Sequence, residues 1–233
     1  MQTIGLIGGL SWKATISYYD YLNEVANAHL GRSRSPHIII DSVDFEYVAQ
    51  LLDLNADEEL AQYLVTSANR LINAGADLIA ICCNSAHRVA AQVMERIDKP
   101  LIDIRDAVAD TILQKNISCV ALLGTKFTMG QKFYKGVLEK RGIRCLTPEP
   151  HEQQYINDLI MNELSVGVVS GQARDNLITI ANRIVGRGAG AIVLACTELP
   201  LAVSQGDFGI TVIDTVKSHC DGMCERAILE FAA

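Results

Sequence analysis

Short apolar runs alternate with longer amphipathic segments along the whole chain. Eight runs read as strands: TIGLIG (3–8), HIIIDSV (37–43), LIAIC (78–82), PLIDI (100–104), CVALLG (119–124), RCLTPE (144–149), AIVLAC (191–196) and ITVID (210–214). Between them lie helical patterns such as ATISYYDYLNEVANAHL (14–30) and DEELAQYLVTSANRLINAG (57–75). In the second, Leu60, Leu64, Ala68, Leu71 and Ile72 recur at helical spacing, and Gly75 supplies a C-terminal stop. Strands alternating with helices predict βαβ units and mainly parallel sheets.

The pattern also repeats. NRLINAGADLIAICCN, from Asn69, aligns with NRIVGRGAGAIVLACT, from Asn182, which places Cys83 on Cys196 at an offset of 113 residues. IGLIGGLSWKATISYYDYLNE aligns with VALLGTKFTMGQKFYKGVLEK at an offset of 116, with Gly8 on Gly124, Tyr18 on Tyr134 and Leu22 on Leu138. PLIDI and TVIDT end the two copies, with Asp103 and Asp214. The expectation is two pseudo-symmetric α/β halves, Rossmann-like, each with a mainly parallel sheet flanked by helices. Residues 1–102 plus 212–233 would form one half and residues 103–211 the other. In open α/β sheets ligands bind beyond the carboxyl ends of the strands, so the active site is expected in the cleft between the halves.

Composition narrows the class. Of 233 residues, 49% are hydrophobic and 20% charged, as in an ordinary globular protein. No apolar run reaches membrane-spanning length, and the N-terminus lacks the basic flank of a signal peptide. A net charge of −7 argues against nucleic acid or an anionic membrane as partner. The seven cysteines are odd in number and contain no C-x-x-C, which predicts reduced thiols in the cytoplasm.

Two of those thiols stand at strand ends. A free thiol is ordinarily a small buried hydrophobe, and Cys82, Cys119, Cys145, Cys220 and Cys224 are read that way. Neighbours on a strand point to opposite faces, so Cys82 and Cys83 divide into a packing residue and a site residue. The repeat makes Cys83 the partner of Cys196, and each precedes a turn into a helix whose N–H groups and partial positive charge favour thiolate. Two facing thiols permit two-base chemistry: one removes a proton from carbon while the other returns one on the opposite face. Asn84, Ser85, Thr197 and Glu198 adjoin the thiols, and their N–H and hydroxyl donors suit a carboxylate. The sharper rival is zinc on Cys83, His87 and Cys196. Its weakness is that Pro200 stands where the second half would need a matching histidine. His87 lies one turn from Cys83 and either contacts the site or caps the turn.

GGLSW, containing Leu10 and Ser11, lacks G-x-G-x-x-G spacing and reads as a tight turn that brings backbone close to a small ligand. LLGTKFT is its counterpart. Thr125 and Thr128 are candidate carboxylate donors, and Lys126 would either add charge there or lie solvated on the surface.

With CCNSAH around Cys83, ACTELP around Cys196, IGLIGGLSW at the N-terminus and VALLGTKFTM in the middle, the sequence resembles the aspartate/glutamate racemase family over essentially its whole length. The resemblance implies two Rossmann-like halves, a homodimer, and no pyridoxal phosphate or other cofactor. It implies catalysis by Cys83 and Cys196, and carboxylate binding by Asn84, Ser85, Thr125, Thr128, Thr197 and Glu198. The first loop departs from the GMGP of some aspartate racemases, and DFEYVAQLLDL lacks their arginine. GLSW and SVDF lie closer to the branch that includes broader-specificity amino-acid racemases. Leu51, Leu52 and the chain around Ser165 are expected beside the side-chain pocket. The expected activity is cofactor-independent racemisation, with aspartate or glutamate as first substrates. Hydantoin racemase, maleate isomerase, arylmalonate decarboxylase and a non-catalytic small-carboxylate-binding protein are the alternatives.

Overall fold

A computed structural model describes residues 1–31 and 34–229. All eight expected strands form: β1 (Ile4–Gly8), β2 (Ile38–Ser42), β3 (Leu78–Ile81), β4 (Leu101–Ile102), β5 (Cys119–Gly124), β6 (Arg144–Leu146), β7 (Ala191–Ala195) and β8 (Thr211–Asp214). In the first half they alternate with α1 (Trp12–Leu30), α2 (Phe45–Asp53), α3 (Asp57–Asn73) and α4 (Ala90–Met94). α5 (Ile104–Gln114), α6 (Lys126–Gly130), α7 (Lys132–Lys140), α8 (Pro150–Asn162), α9 (Gly171–Val185) and α10 (Thr215–Leu229) follow. Local chemistry sets the helix starts. Ser11 and Asp44 accept N-terminal backbone donors of α1 and α2. α3 opens with Asp57, Glu58 and Glu59, which complement its dipole.

The strands form two sheets, ordered β2-β1-β3-β4 and β6-β5-β7-β8, and every pairing is parallel. The chain divides into two units, Met1–Ala107 with Val216–Ala233, and Val108–Thr215. The crossings thus fall a few residues beyond the expected 102/103 and 211/212. The second is later because β8 pairs with β7, which keeps residues 211–214 in the second sheet.

In the first unit, one sheet face buries Ile4, Leu6, Leu78, Ala80 and Cys82 against Tyr18 and Leu22 of α1 and Val216, Cys220, Met223 and Cys224 of α10. Each fully buried aliphatic side chain of this kind contributes about 1.5–3 kcal/mol relative to exposure. Cys82, Cys220 and Cys224 are packing residues, as their positions in the sequence imply. In the second unit, Ala121, Leu123, Ile192, Leu194 and Cys196 pack with α8 and α9.

Two buried histidines tie the first core together. The His219 ring accepts at Nδ1 from the Tyr18 hydroxyl (2.8 Å) and donates from Nε2 to the Ile102 carbonyl (2.8 Å). His87 accepts at Nε2 from the Ile104 N–H (3.2 Å) and donates from Nδ1 to the Cys83 carbonyl (2.7 Å). The two rings meet edge to face at 5.7 Å. Both are fully buried, and the Ile104 N–H, which can only donate, fits only a neutral His87. Burial lowers the pKa of both, with the charge of His87 a further cause at His219, which falls to about 3.

The first prediction concerns the turn after β1. Gly9 has φ +81°, and a Cβ there would lie 2.2 Å from the Val43 carbonyl oxygen and 2.6 Å from its nitrogen. Gly9→Ala is expected to destabilise the protein by roughly 2–4 kcal/mol in urea unfolding. The second concerns acid. A histidine with a depressed native pKa contributes stability that is complete above its unfolded value of 6.5 and lost as pH falls. Stability should therefore decline below pH 6.5, toward about 3 for His219. The steepness is about 1.4 kcal/mol per pH unit for each histidine that binds a proton only when unfolded. His219→Gln, which keeps hydrogen-bonding groups without titrating, should flatten that decline by one proton; parallel pH curves would contradict the assignment.

Candidate active site

The sheet order decides where the chemistry can sit. β2 and β3 lie on opposite sides of β1, and β6 and β7 on opposite sides of β5. Connections that leave neighbouring strands toward opposite sides open a crevice at their carboxyl ends. In the first unit that point joins the GGLS turn after β1 to Cys83 after β3. In the second it joins Thr125 after β5 to Cys196 after β7.

At the first point, Cys82 N–H donates to the Ile7 carbonyl (3.0 Å) and Cys83 N–H to the Ile81 carbonyl (2.8 Å). This sharp turn ends β3 and sends the chain through Asn84 into the 3-10 segment Ser85–Val89. Cys83 retains 9% of its surface, while Asn84 and Ser85 are buried. His87 caps the turn through the Cys83 carbonyl. Both its ring nitrogens are occupied by that bond and the Ile104 N–H, which removes it as a zinc ligand. Among the described residues no group of three or more metal-ligating side chains gathers.

Arg88, next in sequence, pairs with Asp57 of α3 and donates to the Leu52 carbonyl (3.3 Å) and the Asn55 side chain (3.2 Å). It fastens the end of α2 to the cysteine turn, with Leu51 and Leu52 both buried. The adjoining GGLS turn places Leu10 and Ser11 inside as well, and its Gly9 N–H donates to Thr15 Oγ1 (2.8 Å). After β4, Asp103 accepts from the backbone N–H and guanidinium of Arg105. Burial would raise its pKa, but the bonds and charge of Arg105, with a contribution from His87, bring it down to about 2.

At the second point the frame recurs with different side chains. Thr125 caps α6 through the Thr128 N–H (3.4 Å), and the two threonine hydroxyls are 3.2 Å apart. Thr128 is fully buried, so it supports Thr125 from behind. Lys126 is exposed, its ammonium 5.1 Å from the Phe127 ring centre. Gly124 admits the close approach of β7: a Cβ there would lie 2.7 Å from the Ala195 carbonyl oxygen. The Ser165 hydroxyl donates to the Met161 carbonyl (2.8 Å).

Cys196, with 7% of its surface exposed, donates its thiol hydrogen to Glu198 Oε2 (3.0 Å), and the Thr197 hydroxyl donates to the same oxygen (2.6 Å). Glu198 is itself buried. A carboxylate engaged in this way repels a substrate carboxylate, which sets Glu198 apart from the N–H and hydroxyl donors grouped with it in the sequence. Tyr18, His219 and Arg105 were not foreseen around the first turn. His219 had no local signal, because its partners Tyr18 and Ile102 lie 201 and 117 residues away.

Known proteins resemble the chain in sequence and in fold. The family model described as Asp/Glu/Hydantoin racemase matches residues 7–222. The broad specificity amino-acid racemase RacX of Bacillus subtilis is 26% identical over 216 residues, covering 91% of this chain and 92% of its own. A candidate Asp/Glu racemase from Yersinia pestis superposes with a TM-score of 0.91 at 38% identity, covering 98% of this chain and all of its own. An aspartate racemase homologue from Pyrococcus horikoshii does so at 0.86 and 33%, covering 97% and 99% of the two chains. The chain belongs to the Asp/Glu/Hydantoin racemase family.

Proposed function

We propose that the chain is a cofactor-independent amino-acid racemase that moves the α-proton between two cysteine thiols, with aspartate and glutamate as the first substrates to test. The observation that carries this reading is the recurrence of one reactive residue type, Cys83 and Cys196, at the same switch point of two sheets with the same strand order. Packing alone does not require a thiol at the same place twice. Relatives named as broad specificity amino-acid racemase and glutamate racemase support the reaction class.

The chemistry follows from the groups present. A thiolate on one cysteine takes the α-proton and becomes a thiol. Negative charge passes from the α-carbon into the substrate carboxylate. The thiol of the other cysteine delivers its proton to the opposite face and becomes a thiolate, so configuration inverts and the two sulfurs exchange states. Both thiols must therefore reach one α-carbon. Turn N–H groups, Asn84, Ser85 and Thr125 are the donors that hold the carboxylate as its charge grows. A preorganised donor of this kind supplies about 2.7–4 kcal/mol where it has been removed in other enzymes. Buried turns provide a low-dielectric setting that strengthens these bonds. The family resemblance suits a homodimer, and seven cysteines, an odd number with no C-x-x-C, suit reduced thiols in the cytoplasm.

Purified protein without pyridoxal phosphate should racemise at least one of these amino acids, read by chiral chromatography. Cys83→Ser and Cys196→Ser should each lower the rate by about 10²–10⁴-fold with little change in melting temperature. Full activity in Cys83→Ser would overturn the two-thiol mechanism. A covalent substrate adduct without racemisation would favour the isomerase chemistry of the wider family, and ligand-induced stabilisation without turnover would mark a binding protein.

A further inference from the structure

The two thiols share a frame but not an environment. The offset of 113 residues that pairs Cys83 with Cys196 pairs Ser85 with Glu198. Cys196 has a buried carboxylate oxygen 3.0 Å from its sulfur, supplied by a position that the first half fills with Ser85. Asp103, a buried acid of the first unit, is committed to Arg105. From this geometry we infer that Glu198 is a positioning residue that holds the proton on Cys196, so that the resting protein presents Cys196 as the acid of the pair.

A thiol can donate to a carboxylate, whereas a thiolate in the same place would bring two anions to hydrogen-bond distance in a buried setting. Thr197 donates to the same oxygen at 2.6 Å and fixes the carboxylate toward the sulfur. Hydrogen bonds to charged groups are stronger than those between neutral ones. In turnover, Cys196 gives its proton to carbon and is left as a thiolate beside Glu198. That state is disfavoured, and the resting state returns when Cys196 takes a proton from water while Cys83 releases its newly acquired proton to water, or when the reverse reaction runs. Glu198 thereby biases the idle enzyme toward one of its two protonation states.

This deepens the racemase reading, and only its consequence for turnover rests on that reading. The test needs no substrate. Wild type, Glu198→Gln and Glu198→Asp are treated with methyl methanethiosulfonate, a small thiolate-selective reagent, at neutral pH. Modification of Cys83 and Cys196 is followed by peptide mass spectrometry. In wild type Cys83 should react faster than Cys196. Glu198→Gln should raise the Cys196 rate about tenfold and leave the Cys83 rate near wild type. Glu198→Asp, which keeps the charge, should show a much smaller rise. A Cys196 rate that is unchanged or lowered in Glu198→Gln overturns the proposal, because Glu198 would then be inert or a base that generates the thiolate. Equal rises in the Gln and Asp variants also overturn it, since they point to packing alone. Absence of racemisation leaves these rates interpretable, and failure of these rates leaves two-thiol racemisation standing.

Discussion

The parallel pairing of β1 with β3, and of β5 with β7, is the constraint on which the site depends. Each pair joins strands whose following connections diverge, which is where open α/β sheets have their ligand-binding crevice. Strand alternation then decides which side chains enter it. In the first sheet the residues alternating with Leu78, Ala80 and Cys82 are Ile79, Ile81 and Cys83. Cys82 joins the core with α1 and α10, and the turn that ends β3 separates Cys83 from it.

Around this shared frame the two halves have diverged. In the first, Asn84 and Ser85 follow the thiol in sequence, and a histidine whose tautomer is set by a carbonyl on one nitrogen and an N–H on the other holds the turn. Desolvation keeps that ring and its neighbour His219 uncharged. The second half places a buried carboxylate and a threonine against the sulfur. A substrate carbon has two faces that differ only in handedness, and a two-base enzyme must at any moment hold one proton and lack the other. Unequal environments are a direct way to meet that requirement.

Much of this was legible in the sequence. The strands stood out because they are short apolar runs bounded by turn residues, and even β4, two residues long, lay in PLIDI. The repeat exposed both cysteine turns. Other features depend on distance in the chain. The Tyr18–His219 bond exists only because α10 returns to the first sheet after the whole second unit has been built. The break between α6 and α7 at Gln131 has no counterpart in the unbroken α1 with which that stretch aligns. Glu198 was found by position but grouped by adjacency with donors, and only the direction of its bonds separated it from them. Thr128 was likewise visible as a hydroxyl, whereas its complete burial behind Thr125 is a property of packing.

Racemisation in D₂O, stopped early, measures the central claim most directly. One enantiomer is supplied, and deuterium at the α-carbon is read separately in the product and in the recovered starting material. Two thiols acting on opposite faces predict deuterium in the product while the starting enantiomer keeps its proton. Deuterium entering the starting enantiomer as fast as product forms would mean one base serving both faces, and would contradict the account.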